Sequence, residues 1–197
     1  MTEHLTLTFA EIEFMLRAYE PGQVDVREQL GLVDTAAGER TAVAGIASLL
    51  ARGLCTRDGD RIVPSEDIVG VIGALSTATR GSKALGWRDG DPVLLHLFTG
   101  PVVGVVLQST GMGQYAVAPL DPARDLVDQL VGFVDACLAG SRDSAVLVRS
   151  GDVRIAVATD ADGDWYVSDS VHSADVGVRS TQDKAAARIR ELLAVPA

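Results

Sequence analysis

Hydrophobic side chains recur at helical spacing in three stretches of the first half of the chain. The first stretch opens with Thr8 and Glu11, which form a capping-box pattern, and it predicts a helix over 8–20. The same spacing predicts a second helix over 39–52 and a third helix that starts at Ser65. We therefore expect the first half of the chain to be mainly helical.

The runs 54–57 and 61–63, which we interpret as short strands, flank Asp58 and Gly59 between the second and third of these helices. Asp-Gly between such runs is a strong signal for a two-stranded hairpin, which we expect over 54–63. A helix followed by such a hairpin has the layout of a winged helix. Residues 23–37 show no consistent period, and the polar, glycine-rich stretch 80–91 predicts a long loop or a boundary between subdomains.

Alternation of apolar and polar residues dominates the second half and indicates strands. Two successive units each have the pattern of three strands followed by a helix, and each unit has an apolar sheet face that its helix or its twin must cover. The first unit is expected to have strands near 93–98, 102–108 and 114–119 and a helix from Asp121 to Leu138. The second is expected to have strands near 145–150, 153–159 and 164–169 and a helix over 181–194.

These patterns predict an α+β fold, with N-terminal helices and a small β-hairpin followed by a duplicated β-meander–helix unit of pseudo-two-fold character. The expected division is a helical, winged-helix-like part over 1–85 and the duplicated part over 86–197. We expect the two parts to form one compact domain overall.

Charge narrows the classes of partner. The 197 residues carry a formal net charge of −10, so the surface repels phosphate backbones and anionic lipid headgroups. We therefore expect no nucleic-acid or membrane partner. The chain start lacks the pattern of a signal peptide and no apolar run is long enough to span a membrane, which predicts a cytoplasmic protein.

Candidate chemistry is sparse. Asp160, Asp162 and Asp164 alternate in a turn, but the glycine and glutamate positions of a calcium-binding loop are not matched. Gly111 and Gly113 are followed by a strand pattern, whereas a phosphate-binding loop precedes a helix. The three histidines lie far apart, and we place the one in the 93–98 strand on its less buried side. We expect no metal, no cofactor and no enzymatic activity.

Apolar side chains in loops are the remaining clue to function. Met112 lies between two glycines in a predicted hairpin loop, and Trp87 lies in the polar stretch 80–91. Methionine and aromatic side chains on loops suit the recognition of other proteins. From loop position alone, the candidate partner-binding residues are Ser109, Thr110, Gly111, Met112, Gly113 and Tyr115.

The order of several segments resembles a known family. The opening LTLTFAEIEFML is followed by LLARGLCTRDGDRIVPS, then by EDIVGVIGALSTA and by PVLLHLFTGPVVGVVLQSTGMGQYAVAPLDPARDLVDQLVGFV. This layout resembles the EspG family, the ESX secretion-associated proteins of actinobacterial type VII secretion, most recognisably over residues 5–140. The resemblance implies a quasi-two-fold α+β fold and a cytosolic chaperone that grips the tip of a helical PPE protein in a PE–PPE heterodimer.

The favoured function is therefore a cytosolic type VII (ESX) secretion-associated chaperone whose partner is a helical, PPE-like secretion substrate. The alternative is a transcriptional regulator with a winged-helix-like N-terminus and a C-terminal sensor part. Apart from Arg40 and Arg52, the would-be recognition helix has few side chains suited to reading bases. A small enzyme has the least support.

Overall fold

The structure is a computed structural model that describes residues 5–19, 24–32, 36–88, 90–120, 125–169 and 177–193. Within these residues the chain forms helices and a large antiparallel sheet, so the α+β prediction is confirmed. The helices are α1 Phe9–Ala18, α2 Val26–Leu30, α3 Ala36–Ala51, α4 Glu66–Ser76, α5 Leu126–Leu138 and α6 Gln182–Leu193. The strands are β1 Leu5–Thr8, β2 Cys55–Asp58, β3 Arg61–Pro64, β4 Arg80–Arg88, β5 Asp91–Thr99, β6 Gly104–Gly111, β7 Gln114–Pro119, β8 Ser144–Ser150, β9 Val153–Thr159, β10 Trp165–Ser168 and β11 Val178–Ser180.

The large sheet has the strand order β1-β7-β6-β5-β4-β8-β9-β10-β11, and β2 and β3 form a separate hairpin. Contacts group the chain into a first unit, residues 1–81 and 96–120, and a second unit, residues 82–95 and 121–197. This grouping differs from the predicted boundary between residues 85 and 86, because β6 and β7 belong with β1 and the N-terminal helices.

The start of α1 follows the capping-box prediction. The backbone N–H of Glu11 donates to the Thr8 hydroxyl at 3.2 Å, and the Thr8 N–H donates to the Glu11 carboxylate at 2.7 Å. The residues before α1 form β1, which pairs with β7 and which the sequence pattern did not indicate. The apolar face of α1 packs in the core of the first unit with residues of α4, β6 and β7.

The predicted hairpin between α3 and α4 is confirmed. Its strands β2 and β3 pair from Cys55 with Pro64 to Asp58 with Arg61. Gly59 lies in the turn with a φ of 58°, a conformation that glycine adopts without steric cost. The unassigned region before α3 contains the short helix α2, which is capped at its start by the Asp25 carboxylate.

Of the two alternatives for 80–91, the loop is wrong, because residues 80–88 form the strand β4, whereas a division between the two units does fall there, between residues 81 and 82. The glycines of β4 serve close packing instead of a turn. A Cβ on Gly86 would lie 2.8 Å from the Val146 side chain and 3.0 Å from the Cys137 sulfur. Small residues let this strand lie close to its neighbours, so a composition that usually marks loops here marks a strand with one buried face.

The helix assigned to the first β-meander belongs to the second unit. α5 packs on β8, β9 and α6. It begins at Leu126 with Asp125 as its cap, and the predicted start at Asp121 lies outside the described residues. The sheet of the first unit instead packs against α1 and α4, so its meander has no need of the helix that follows it. The pseudo-two-fold relation of the two meanders stays a prediction.

Candidate functional site

The candidate residues 109–113 and 115 lie at the hairpin that joins β6 to β7 in the first unit. Gly111 pairs with Gln114, which leaves Met112 and Gly113 as a two-residue turn. The register shifts between Ser109 and Gly111, and such a bulge increases the local twist of a strand. The structure therefore brings the predicted residues together at one end of β6 and β7.

Met112 occupies a conformation that favours glycine or asparagine. Its φ is 49° and that of Gly113 is 71°, the signs required at the two central positions of a type I′ turn. An ordinary L-residue in this left-handed region loses about 1–2 kcal/mol. The Met112 side chain is also fully exposed to solvent. An apolar side chain thus stands at a hairpin tip where neither backbone conformation nor burial favours it.

The base of the hairpin is fixed to the N-terminal helix. The N–H of Phe9, the first residue of α1, donates to the Gly113 carbonyl at 2.7 Å. This bond continues the pairing of β1 with β7, in which Leu7 faces Tyr115. The turn is therefore held against a helix and a neighbouring strand, which positions Met112 relative to the rest of the first unit.

Tyr115 lies in the core and not at the surface. It is 8% exposed, and burial raises the pKa of its hydroxyl. Its ring meets His96 edge-on, with the ring centroids 6.2 Å apart, and His96 stacks on Phe98. His96 is itself buried, so its predicted placement on the less buried side of its strand is wrong. Tyr115 thus packs in the core beneath the hairpin, whereas the side chains of Met112 and Thr110 are exposed to solvent.

A buried electrostatic cluster of the first unit surrounds Glu11. This carboxylate is fully buried and accepts hydrogen bonds from the Ser48 hydroxyl at 2.8 Å and from Arg52 at 2.9 Å. Burial acts to raise its pKa, but the hydrogen bonds from Thr8, Ser48 and Arg52 and the charge of Arg52 outweigh burial, and the pKa is lowered. The cluster ties α1 to α3 and to the loop after it.

The outward face of α3 bears on the regulator hypothesis. Arg52, which directly follows this helix, is engaged with Glu11 and with the carbonyl of Thr6. Arg40 is exposed. Glu39 is exposed too, and the remaining described positions that are exposed hold Val43, which is 68% exposed, and three alanines. Base edges are read by Arg, Asn, Gln or Lys side chains, so this face is poorly equipped for reading DNA.

In the acidic turn between β9 and β10, the Asp160 carboxylate accepts hydrogen bonds from the backbone of the turn itself. The Asp160 carboxylate accepts the N–H groups of Asp162 and Asp164, at 3.0 and 2.9 Å, and the Tyr166 hydroxyl at 3.0 Å. The bond from Asp164 is the main cause that lowers the Asp160 pKa. These bonds give Asp160 a role in shaping the turn. Among the described residues, no three His, Cys, Asp or Glu side chains are arranged to hold a metal ion.

Within the described ranges, no helix has both the length and the apolar character needed to cross a membrane. His4 and His172 lie outside those ranges. No family model matches the chain, and no curated protein matches it.

Proposed function

We propose that this protein is a cytosolic type VII (ESX) secretion-associated chaperone that binds a helical, PPE-like secretion substrate through the β6–β7 hairpin. The proposal rests on the segment order described above and on the geometry of the hairpin. In this proposal Met112 inserts into an apolar pocket of the substrate, and Thr110 and Gly111 contact the rim of that pocket.

The observation that carries the proposal is the fully exposed Met112 at a left-handed position. Asn-Gly is the most favoured pair in a type I′ turn, so asparagine would suit this position better than methionine does. A flexible, polarizable methionine suits contact with a partner of irregular apolar shape. The unfavourable choice is explained if the side chain is buried when a partner binds.

A second support comes from the part of α3 after Arg40, where the exposed residues are apolar. Val43, Ala44, Ala47 and Ala51 are exposed, whereas Ala42 and Leu49 on the other side are buried. A helix segment that is apolar on its outward as well as its inward side is normally covered on both sides. A bound polypeptide would cover the outward face of this helix.

Affinity capture from a lysate of the source organism tests the proposal when two matched variants are used as bait. Met112→Asp and Val102→Asp each place a new charge on an exposed apolar residue in a hairpin turn next to β6, and Val102 is 92% exposed. We expect the unaltered protein and Val102→Asp to retain the same helical PPE-like substrate, and Met112→Asp to lose it.

Two results would overturn the proposal. The first is that no PPE-like or other ESX substrate is enriched on the unaltered protein. The second is equal enrichment on Met112→Asp, because a charge at the proposed contact must disrupt an apolar pocket. Co-expression of the captured substrate with each bait then shows whether the two proteins bind directly.

A further inference from the structure

Three cationic side chains form a row across the sheet of the second unit. Lys83 of β4 is the direct cross-strand partner of Arg149 of β8, and Arg149 is the partner of Arg154 of β9. Direct partners project from the same face of a sheet, so the three side chains share one face. The opposite face carries Ser82, Ser150 and other buried residues.

This row is unfavourable for the isolated protein. Like charges at directly opposite positions of neighbouring strands destabilise a sheet. Among the described residues, none of the three cations has an ion pair, even though the chain carries 27 acidic residues. Asp152 lies in the turn between Arg149 and Arg154, but the Nε–H of Arg149 donates to the Gly151 carbonyl at 3.3 Å and not to this carboxylate. The charge of the row is therefore not neutralised by the acidic side chains of the described residues.

A partly exposed apolar row runs beside the cations on the same face. Leu85 pairs with Leu147, and Leu147 pairs with Ala156, each two residues along its strand from one of the cations. Leu147 is 36% exposed and Leu85 is half-buried. Two residues along a strand correspond to about 7 Å, so the cationic and apolar rows lie about 7 Å apart.

We infer that this face, formed by Lys83, Arg149, Arg154, Leu85 and Leu147, is a docking site for an acidic amphipathic helix of a partner protein. Neighbouring strands are about 4.8 Å apart, so the three cations span about 10 Å across the sheet. Acidic side chains at i, i+4 and i+7 of a helix span the same distance of about 10 Å along its axis. Apolar residues one position later on that helix meet the leucine row.

The apolar row and the charge of the whole chain favour a polypeptide over a nucleic acid. A nucleic acid interacts with cations along an extended backbone, and a chain of net charge −10 repels that backbone outside the row. The partly exposed leucines fit a partner that carries an apolar stripe next to an acidic one. This site lies in the second unit, so it is separate from the β6–β7 hairpin of the proposed function.

A synthetic helical peptide with glutamate at i, i+4 and i+7 and leucine at i+1, i+5 and i+8 is the probe. Fluorescence anisotropy measures its binding to the full chain, to Arg149→Gln/Arg154→Gln, and to the control Arg57→Gln/Arg61→Gln. The control removes the same charge from two exposed arginines of the first unit. We expect at least a tenfold loss of affinity in the first variant only, and weaker binding of the unaltered chain as salt increases.

Arg154→Glu separates a binding role from a structural one. This change converts a like-charge pair with Arg149 into an opposite-charge pair, so the thermal unfolding midpoint should rise while peptide binding is lost. Equal peptide affinity of the two double variants would overturn the inference. Two other results would overturn it as well, because each assigns the face to a different occupant. One is binding of a single-stranded oligonucleotide in place of the peptide. The other is self-association of the chain that disappears in Arg149→Gln/Arg154→Gln.

Discussion

Gly45 is the point of closest approach between α3 and α1, and its replacement by alanine is expected to be strongly destabilising. A Cβ at this position would lie 1.9 Å from the Ala10 carbonyl oxygen and 2.5 Å from its carbon. Contacts of a Cβ below 3.0 Å essentially do not occur. Both atoms belong to the backbone of α1, so no side-chain rotation relieves the clash and the helices must separate by at least 1.1 Å.

The cost follows from what that separation disrupts. Overpacking of this kind costs about 1–3 kcal/mol. A displacement of 1.1 Å or more would also stretch the bonds of 2.8 and 2.9 Å from Ser48 and Arg52 to Glu11 beyond hydrogen-bonding distance. A hydrogen bond to a charged group contributes about 1.5–3 kcal/mol. If one of these bonds is lost, and after allowing about 1 kcal/mol for the better helix propensity of alanine, we expect Gly45→Ala to lose about 2–5 kcal/mol.

Urea denaturation followed by circular dichroism measures this loss, and Gly70→Ala is the matched control. Gly70 lies inside α4 and is exposed, and a Cβ added there would have no atom within 4 Å. The control should gain about 0.5–1 kcal/mol from helix propensity alone. If Gly45→Ala unfolds at the same urea concentration as Gly70→Ala, the close helix contact is refuted.

Two further substitutions test buried polar groups. Glu11→Gln should lower the free energy of unfolding by about 2–3 kcal/mol at neutral pH, because it removes the charge that Arg52 and the other donors satisfy. The folded-state pKa of Glu11 is lowered, so the stability that its charge contributes is fully present above the ordinary value of 4.5 and is lost as pH falls through the folded pKa. Urea unfolding at a series of pH values should therefore show the difference in stability between the unaltered protein and Glu11→Gln shrink as the pH becomes acidic. The buried hydroxyls of Ser82 and Ser150 are 2.8 Å apart, so Ser82→Ala should lower the free energy of unfolding by about 1–2 kcal/mol. In a double-mutant cycle with Ser150→Ala, the double variant should lose less stability than the two single variants lose together. Additive losses would contradict the hydrogen bond between the two hydroxyls.

Local signals in the sequence predicted several elements well. The Thr8–Glu11 capping box marks the start of α1, and Asp58-Gly59 marks the hairpin of β2 and β3. Both signals act within a few residues, so the sequence contains all the information they need. Arg52, another partner of Glu11, lies 41 residues further along the chain, and no local pattern indicates that contact.

Neighbours that are distant in sequence account for the failures. The glycines of β4 resemble turn residues and therefore predict a loop, and only the approach of Val146 and Cys137 to Gly86 shows that they serve packing. No local sequence pattern indicated the cationic row either. Lys83 and Arg149 become neighbours because β4 pairs with β8, a pairing that skips the three intervening strands in the sequence.

The candidate site was partly predictable for the same reason. The glycines around Met112 indicated a hairpin loop, and the structure places the loop at residues 112 and 113. The left-handed conformation of Met112 depends on a two-residue turn, which the glycine pattern alone did not define. The burial of Tyr115 depends on the pairing of its strand with β1, and β1 was not predicted.

The affinity of the captured substrate for Met112→Asn is the most direct test of the proposal that this hairpin binds a client. Asparagine before Gly113 gives the favoured type I′ pair, so the free energy of unfolding should rise by about 0.5–1 kcal/mol. The same change removes the apolar contact, and we predict at least a tenfold increase in the dissociation constant, which corresponds to about 1.4 kcal/mol. A variant that is more stable and binds the substrate as tightly as the unaltered protein would contradict the account.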